Sequence, residues 1–189
     1  MKTPLKVAMV CFLISVGITL TFFAVNKGAE AAQFGGLWNM FLLICAIGVG
    51  LYLTKRNQGY DQSVSFAEDF KVSVQGGIVF VVLISLFTFV YHSKIDTSFI
   101  DTKLNERLEA SMKNVPNEAA YKVLQQEDVT WKDKSYLDYI ENQEDQAVLG
   151  LSAKSLAIGY LGIGLFLTLF FSIATTFIWR KIVMMEANR

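Results

Sequence analysis

The chain has 189 residues, of which 53% are hydrophobic and 18% charged, and its acidic and basic residues balance to zero formal charge. Its mean hydropathy of +0.40 is typical of a membrane protein. With one histidine and two cysteines the chain is poor in the side chains that zinc prefers. We therefore expect no metal site. We also expect no cofactor and no nucleic-acid partner.

Four segments of the chain carry no charge, and each is close to the roughly 20 residues that cross the hydrocarbon core of a lipid bilayer. They are Val7–Val25, Leu37–Thr54, Val72–Ser93 and Ser155–Trp179. The pattern predicts an all-α integral membrane four-helix bundle forming one membrane domain over residues 1–189, with crossings at about 5–26, 36–54, 70–93 and 152–180. A cleaved signal peptide is the alternative for the first segment, but its apolar run exceeds the usual 7–15 residues.

The third crossing begins at a polar start signal. Ser65 and Glu68 have the spacing of a capping box, and Asp69 falls in the first turn, where the helix dipole favours an acid. No charge follows Lys71 until Lys94. We expect no acidic or basic side chain within the membrane core, which argues against a pump or a proton-coupled carrier.

Residues 94–150 form a polar insertion between the third and fourth crossings, with five more acidic than basic residues. Apolar residues recur there at every fourth position, which predicts an amphipathic helix and a possible partner surface. They are Ile100, Leu104, Leu108 and Met112. Pro116 fits the first turn of a second helix, and the apolar residues from Leu137 onward indicate a third. Cover by a neighbouring helix is the alternative to a partner.

The segment G-Y-D-Q-S-V-S-F-A-E-D-F-K at 59–71, followed by Gly76-Gly77, resembles the bacterial family called domain of unknown function 4199. Lys55-Arg56 before this segment and Ile95-Asp96-Thr97-Ser98-Phe99 after it match the same layout. Members are small four-helix membrane proteins, mainly from Bacteroidota. The resemblance implies an architecture and brings no activity with it.

Small residues on the predicted crossings suggest close helix packing, within the bundle or in a homo-oligomer. They are Gly48, Gly50, Gly76, Gly77, Gly159, Gly162 and Gly164.

Other candidate residues lie near the outer boundary of the membrane. Lys154 between Ser152 and Ser155 is expected to reach the interface, with a serine–lysine hydrolase as the alternative. His92 is expected to be an interface residue that Asp96, one turn on, could make pH-sensitive. We expect no catalytic residue.

Basic residues favour one orientation, because eight flank the ends predicted to be cytoplasmic and only Lys27 lies in the short outer loop. Both termini are then cytoplasmic in a bacterial inner membrane, and the insertion is extracytoplasmic. The expected function is a non-enzymatic accessory or scaffold subunit that binds another membrane or periplasmic protein. A small oligomeric transporter or channel-like protein is the alternative.

This orientation can be tested with single cysteines in a chain whose two native cysteines are replaced. Gln125→Cys should react with a membrane-impermeant thiol reagent in cells whose outer membrane is permeabilised, whereas Asn188→Cys should react only after lysis. Labelling at position 188 without lysis would contradict the predicted topology.

Overall fold

The computed structural model describes residues 2–25, 28–58 and 65–183, and all the regular structure in them is helical. The α-helices are α1 (Thr3–Ala24), α2 (Gly28–Gln58), α3 (Phe66–Val90), α4 (Ser98–Asn114), α5 (Glu118–Glu127), α6 (Tyr136–Leu151) and α7 (Ala153–Ile178). Four helical stretches are long and apolar enough to cross a membrane, namely Thr3–Ala24, Phe34–Asn57, Phe66–Ile95 and Ala153–Lys181. The predicted all-α membrane fold is confirmed.

Local signals account for where the helices begin and end. Pro4 occupies the first turn of α1, where its missing N–H costs nothing. The capping box before α3 is present, since the Glu68 amide donates to Ser65 Oγ at 3.3 Å and the Ser65 amide donates to Glu68 Oε2 at 3.4 Å. π-helical turns follow α3 at Tyr91–Ile95 and α7 at Trp179–Val183.

The described chain divides into two compact units, a first unit of Met1–Thr88 with Ala157–Arg189 and a second unit of Phe89–Leu156. An apolar core holds α1, α2 and α3 of the first unit together, with residues of α7 packed against it. Its buried members are Ala8, Cys11, Leu42, Leu43, Ala46, Ile47, Phe80, Val81 and Ile84. Cys11 and Cys45 are both free thiols.

α3 and α7 meet along an antiparallel seam whose contacts recur about every helical turn. Ser85 Oγ donates to the Ala157 carbonyl at 2.6 Å. One turn along α3, a Cβ added to Gly164 would lie 2.7 Å from a methyl group of Val81. Such close backbone approach is how membrane helices gain packing energy without a hydrophobic incentive.

The second unit has a core of its own, and this core is mostly aromatic. Val115, Tyr121, Trp131 and Tyr139 are its buried members. Trp131 and Tyr139 rings meet edge to face at 5.1 Å, and the Tyr121 hydroxyl donates to the Lys134 carbonyl at 3.1 Å. Because tyrosines bury apolar rings while their hydroxyls find backbone acceptors, a short three-helix segment can be packed without a large aliphatic core.

Hydrogen bonds at helix starts favour the ionised form of two acids in the second unit. The amide and hydroxyl of Ser135 both donate to the Asp138 carboxylate, at 2.7 and 2.8 Å, which lowers the pKa of Asp138. Thr130 likewise lowers the pKa of Asp128. Burial raises the pKa of Tyr139, so it stays neutral. Asp128 and Asp138 therefore stay ionised at mildly acidic as well as neutral pH.

Candidate functional site

The first unit holds a charged group inside its helices. The Asp69 side chain on α3 is fully buried, and its carboxylate forms ion pairs with Lys55 on α2 and Arg180 just after α7. Arg180 Nη1 donates to Asp69 Oδ2 at 3.0 Å. Lys55 is also buried, whereas the Arg180 side chain is 29% exposed. One carboxylate therefore joins α2, α3 and the segment after α7.

Burial makes the pairing of these charges energetically important. A charge moved out of water is costly unless it is paired and hydrogen-bonded. Asp69, Lys55 and Arg180 each lie within a stretch apolar enough to span a membrane. Ionisable residues in such stretches are rare and usually have a structural or functional partner. We call this group the ion triad.

A column of hydroxyls on α7 leads to the ion triad. Thr168, Ser172 and Thr176 are spaced four residues apart and stand twelve, eight and four residues before Arg180, so all four residues share one helix face. The three hydroxyl-bearing residues are fully buried. Ser73, one turn after Asp69 on α3, shares a hydrogen bond with Thr176 at 3.3 Å.

These hydroxyls behave differently from others in the first unit. Thr19, Thr21 and Thr54 each donate to the carbonyl four residues earlier in their own helix, as hydroxyls in membrane helices commonly do. Thr168 Oγ1 and Ser172 Oγ have no hydrogen-bond partner among the described residues. The seam between α3 and α7 is therefore polar at the end that carries the ion triad.

The buried position of Asp69 differs from the sequence-based expectation. The uncharged run begins at Val72, which predicts that the acid lies at a helix start outside the membrane core. The structure instead places Asp69 on a buried face, facing two cations from other helices. A usable signal was present in the four-residue spacing of Asp69, Ser73 and Gly77, which matches that of the polar face of α7.

The predicted packing glycines occupy different environments. A Cβ added to Gly76 would lie 2.8 Å from the Ala46 carbonyl oxygen, and one added to Gly77 would collide with a Thr168 methyl group. Gly164 lies similarly close to its neighbour, while Gly50 and Gly48 have ordinary contacts with Pro4 and Thr175. An added Cβ would meet no described atom within 4 Å at Gly159 or Gly162.

The apolar row of α4 faces α6 within the second unit. Ile100, Leu104 and Leu108 are half-buried, and Met112 is exposed. Ile100 and Leu104 line a groove of about 340 Å³ together with Val148 and Leu151. Leu108 and Met112 lie beside Tyr136, Tyr139 and Ile140. The neighbouring helix thus covers much of the row, which was the alternative to a partner.

The boundary residues make local contacts. The Tyr91 hydroxyl donates to Asp96 Oδ2 at 3.3 Å, and Ser98 donates to Asp96 Oδ1 at 2.8 Å, while the His92 ring lies between the rings of Tyr91 and Phe99. His92 Nδ1 has no hydrogen-bond partner among the described residues.

Ser152 and Ser155 are hydrogen-bonded to each other at the start of α7. Ser152 Oγ accepts from the Ser155 amide at 3.1 Å, and the Ser155 hydroxyl donates to the Leu149 carbonyl. Lys154 is exposed. The two hydroxyls therefore serve as helix caps in this structure.

Replacing the buried acid should destabilise the bundle far more than replacing its exposed neighbour. Asp69→Asn removes the carboxylate that pairs with the buried Lys55 ammonium and with Arg180, which should cost about 3–5 kcal/mol of unfolding free energy. Glu68→Gln makes the same chemical change on the exposed carboxylate one residue earlier and should change stability little. Thermal unfolding of both variants in detergent is the measurement. Equal stabilities would show that the ion triad does not hold the bundle.

Comparison with known families agrees with this architecture. The family model described as "Protein of unknown function (DUF4199)" matches residues 6–181, which is nearly the whole chain. No curated protein and no solved structure matches the chain. The match extends over most or all of each of the four apolar stretches and includes the ion triad and the second unit, so the chain belongs to the DUF4199 family.

Proposed function

We propose that this membrane protein is a non-enzymatic accessory or scaffold subunit, whose second unit binds another protein. The proposal rests on apolar side chains that are exposed at the surface of the second unit. Val129 is 85% exposed and Leu137 is 75% exposed, although the aromatic core of the unit lies between them in sequence at Trp131. Apolar side chains exposed to this degree beside a packed core suit contact with a partner.

The acidic residues near Val129 and Leu137 support a binding role for the same surface. The stretch from Glu127 to Asp145 includes Asp128, Asp133 and Asp138, and hydrogen bonds keep two of these carboxylates ionised. An acidic rim around exposed apolar residues favours a partner with a basic surface and speeds its encounter. In the proposed orientation, with both termini in the cytoplasm of a bacterial cell, that partner is periplasmic or a membrane protein with a periplasmic part.

The proposal predicts which substitutions separate binding from folding. Val129→Asp with Leu137→Asp removes two exposed apolar side chains from this surface. The double variant should therefore abolish recovery of a specific partner from cells cross-linked before lysis. Leu137 lies in the first turn of α6, where an acid is favourable, so the unit should stay folded.

The matched control adds the same charge at exposed polar positions of the same unit, with Asn105→Asp and Gln126→Glu. Mass spectrometry of the cross-linked material should identify one partner with wild type and with the control, and should not identify it with the Val129 and Leu137 variant. Loss of the partner in both variants, or in neither, would contradict this surface.

A transporter or channel-like role is favoured by one separate observation, the buried hydroxyls of Thr168 and Ser172. Polar groups that face a bundle interior are typical of substrate paths. Solute flux through proteoliposomes, lost on replacing both residues with alanine, would distinguish this role from a scaffold.

A further inference from the structure

A cavity of about 360 Å³ lies between α1 and α2 of the first unit. Three aromatic side chains line it, Phe22 from α1 and Phe34 and Trp38 from α2. Phe34 is 56% exposed and Trp38 is 39% exposed, so other described residues leave much of each ring uncovered. The cavity is within the size range of small-molecule sites, which is roughly 300–1,000 Å³.

A polar pair joins the two helices at this cavity. The Ser15 hydroxyl donates to Asn39 Oδ1 at 2.5 Å, and both residues line the cavity. Because Ser15 is almost fully buried, this hydrogen bond restricts the orientation of the Asn39 carboxamide. The Asn39 amide nitrogen carries two N–H groups, which donate to no residue in the described part of the chain. A bound molecule can satisfy them by offering a hydrogen-bond acceptor.

Two adjacent glycines differ in their relation to the cavity. Gly35 lines the cavity, and a Cβ added there would meet no described atom within 4 Å. Gly36 has the same free space but is not among the residues that line the cavity. A larger side chain can therefore be introduced at either position, and only the one at position 35 is placed to fill the cavity.

The surroundings of the cavity restrict the chemistry of its ligand. It lies between two stretches that are apolar enough to span a membrane, Thr3–Ala24 and Phe34–Asn57, so a lipid-soluble molecule can reach it from the bilayer. Aromatic side chains favour a flat ring, which they contact by stacking or edge to face. The amide N–H groups favour a carbonyl oxygen, and a plain acyl chain would leave them unsatisfied in an apolar environment.

We propose that this cavity binds a quinone, a lipid-soluble molecule whose flat ring carries carbonyl acceptors. The ring lies against Phe34 and Trp38, and one carbonyl oxygen accepts from the Asn39 amide nitrogen. Ser15 acts through Asn39, because its hydrogen bond positions the carboxamide. The proposal concerns binding, and it goes beyond the proposed partner-binding function, which uses the second unit.

The experiment uses the full chain in detergent, with a naphthoquinone that carries a short isoprenoid tail as the probe. Because a quinone quenches the fluorescence of a tryptophan that it contacts, quenching as a function of probe concentration measures binding. Trp38→Phe keeps an aromatic wall and removes the reporter in the cavity. The difference between wild type and this variant therefore separates the signal of Trp38 from those of Trp131 and Trp179.

Gly35→Leu puts an apolar side chain into the cavity and should abolish saturable quenching of Trp38. Gly36→Leu is the matched control, since it makes the same change at the adjacent residue and should bind the probe as wild type does. Asn39→Leu removes the N–H donors and should weaken binding roughly tenfold, the upper value for one hydrogen bond. Thermal unfolding establishes that the variants are folded.

The proposal is overturned if wild type shows no saturable quenching of Trp38, if Gly35→Leu or Asn39→Leu binds as wild type does, or if Gly36→Leu loses as much as Gly35→Leu. Phosphatidylglycerol at the concentration of the probe should not compete with it. Competition by the phospholipid would assign the cavity to acyl chains and would also overturn the proposal.

Discussion

The pairing of the Asp69 carboxylate with Lys55 and Arg180 is the constraint on which the first unit depends. A fully buried acid within a membrane-spanning helix is tolerated only when cations neutralise it. Because those cations come from α2 and from the end of α7, meeting this requirement fixes both segments against α3 at one end. Apolar packing and close glycine contacts then act along the remaining length of the helices.

The polar contacts between α3 and α7, which we call the polar seam, extend this constraint along α7. Ser73 and Thr176 share a hydrogen bond one turn away from the ion triad, and Thr168 lies against Gly77 two turns farther along α7. Small and polar residues recur every fourth position on both helices, and the ion pair between Asp69 and Arg180 favours one register among those that bring the polar faces together. A polar contact inside a membrane specifies which helices pair, even where it adds little net stability.

Much of the fold could be predicted from the sequence, because long uncharged runs and capping signals are local features. The four spans, the capping box at Ser65 and the helical character of the insertion all follow from such features. The ion triad could not be predicted in the same way, since pairing between residues 69 and 180 depends on which helices become neighbours. The aromatic core around Tyr121 and Trp131 was missed for a related reason, because its members are irregularly spaced and show no helical period.

Engineered disulfide formation tests the register of α3 against α7 most directly. With Cys11 and Cys45 replaced by alanine, Ser73→Cys and Thr176→Cys should form a disulfide on mild oxidation. The two native hydroxyl oxygens are 3.3 Å apart, so sulfur atoms at these positions need to move only a short way to form the roughly 2 Å S–S bond. Ser73→Cys with Phe177→Cys, whose second position is exposed, should remain reduced. A disulfide that forms equally well with position 177, or only there, would contradict the polar seam.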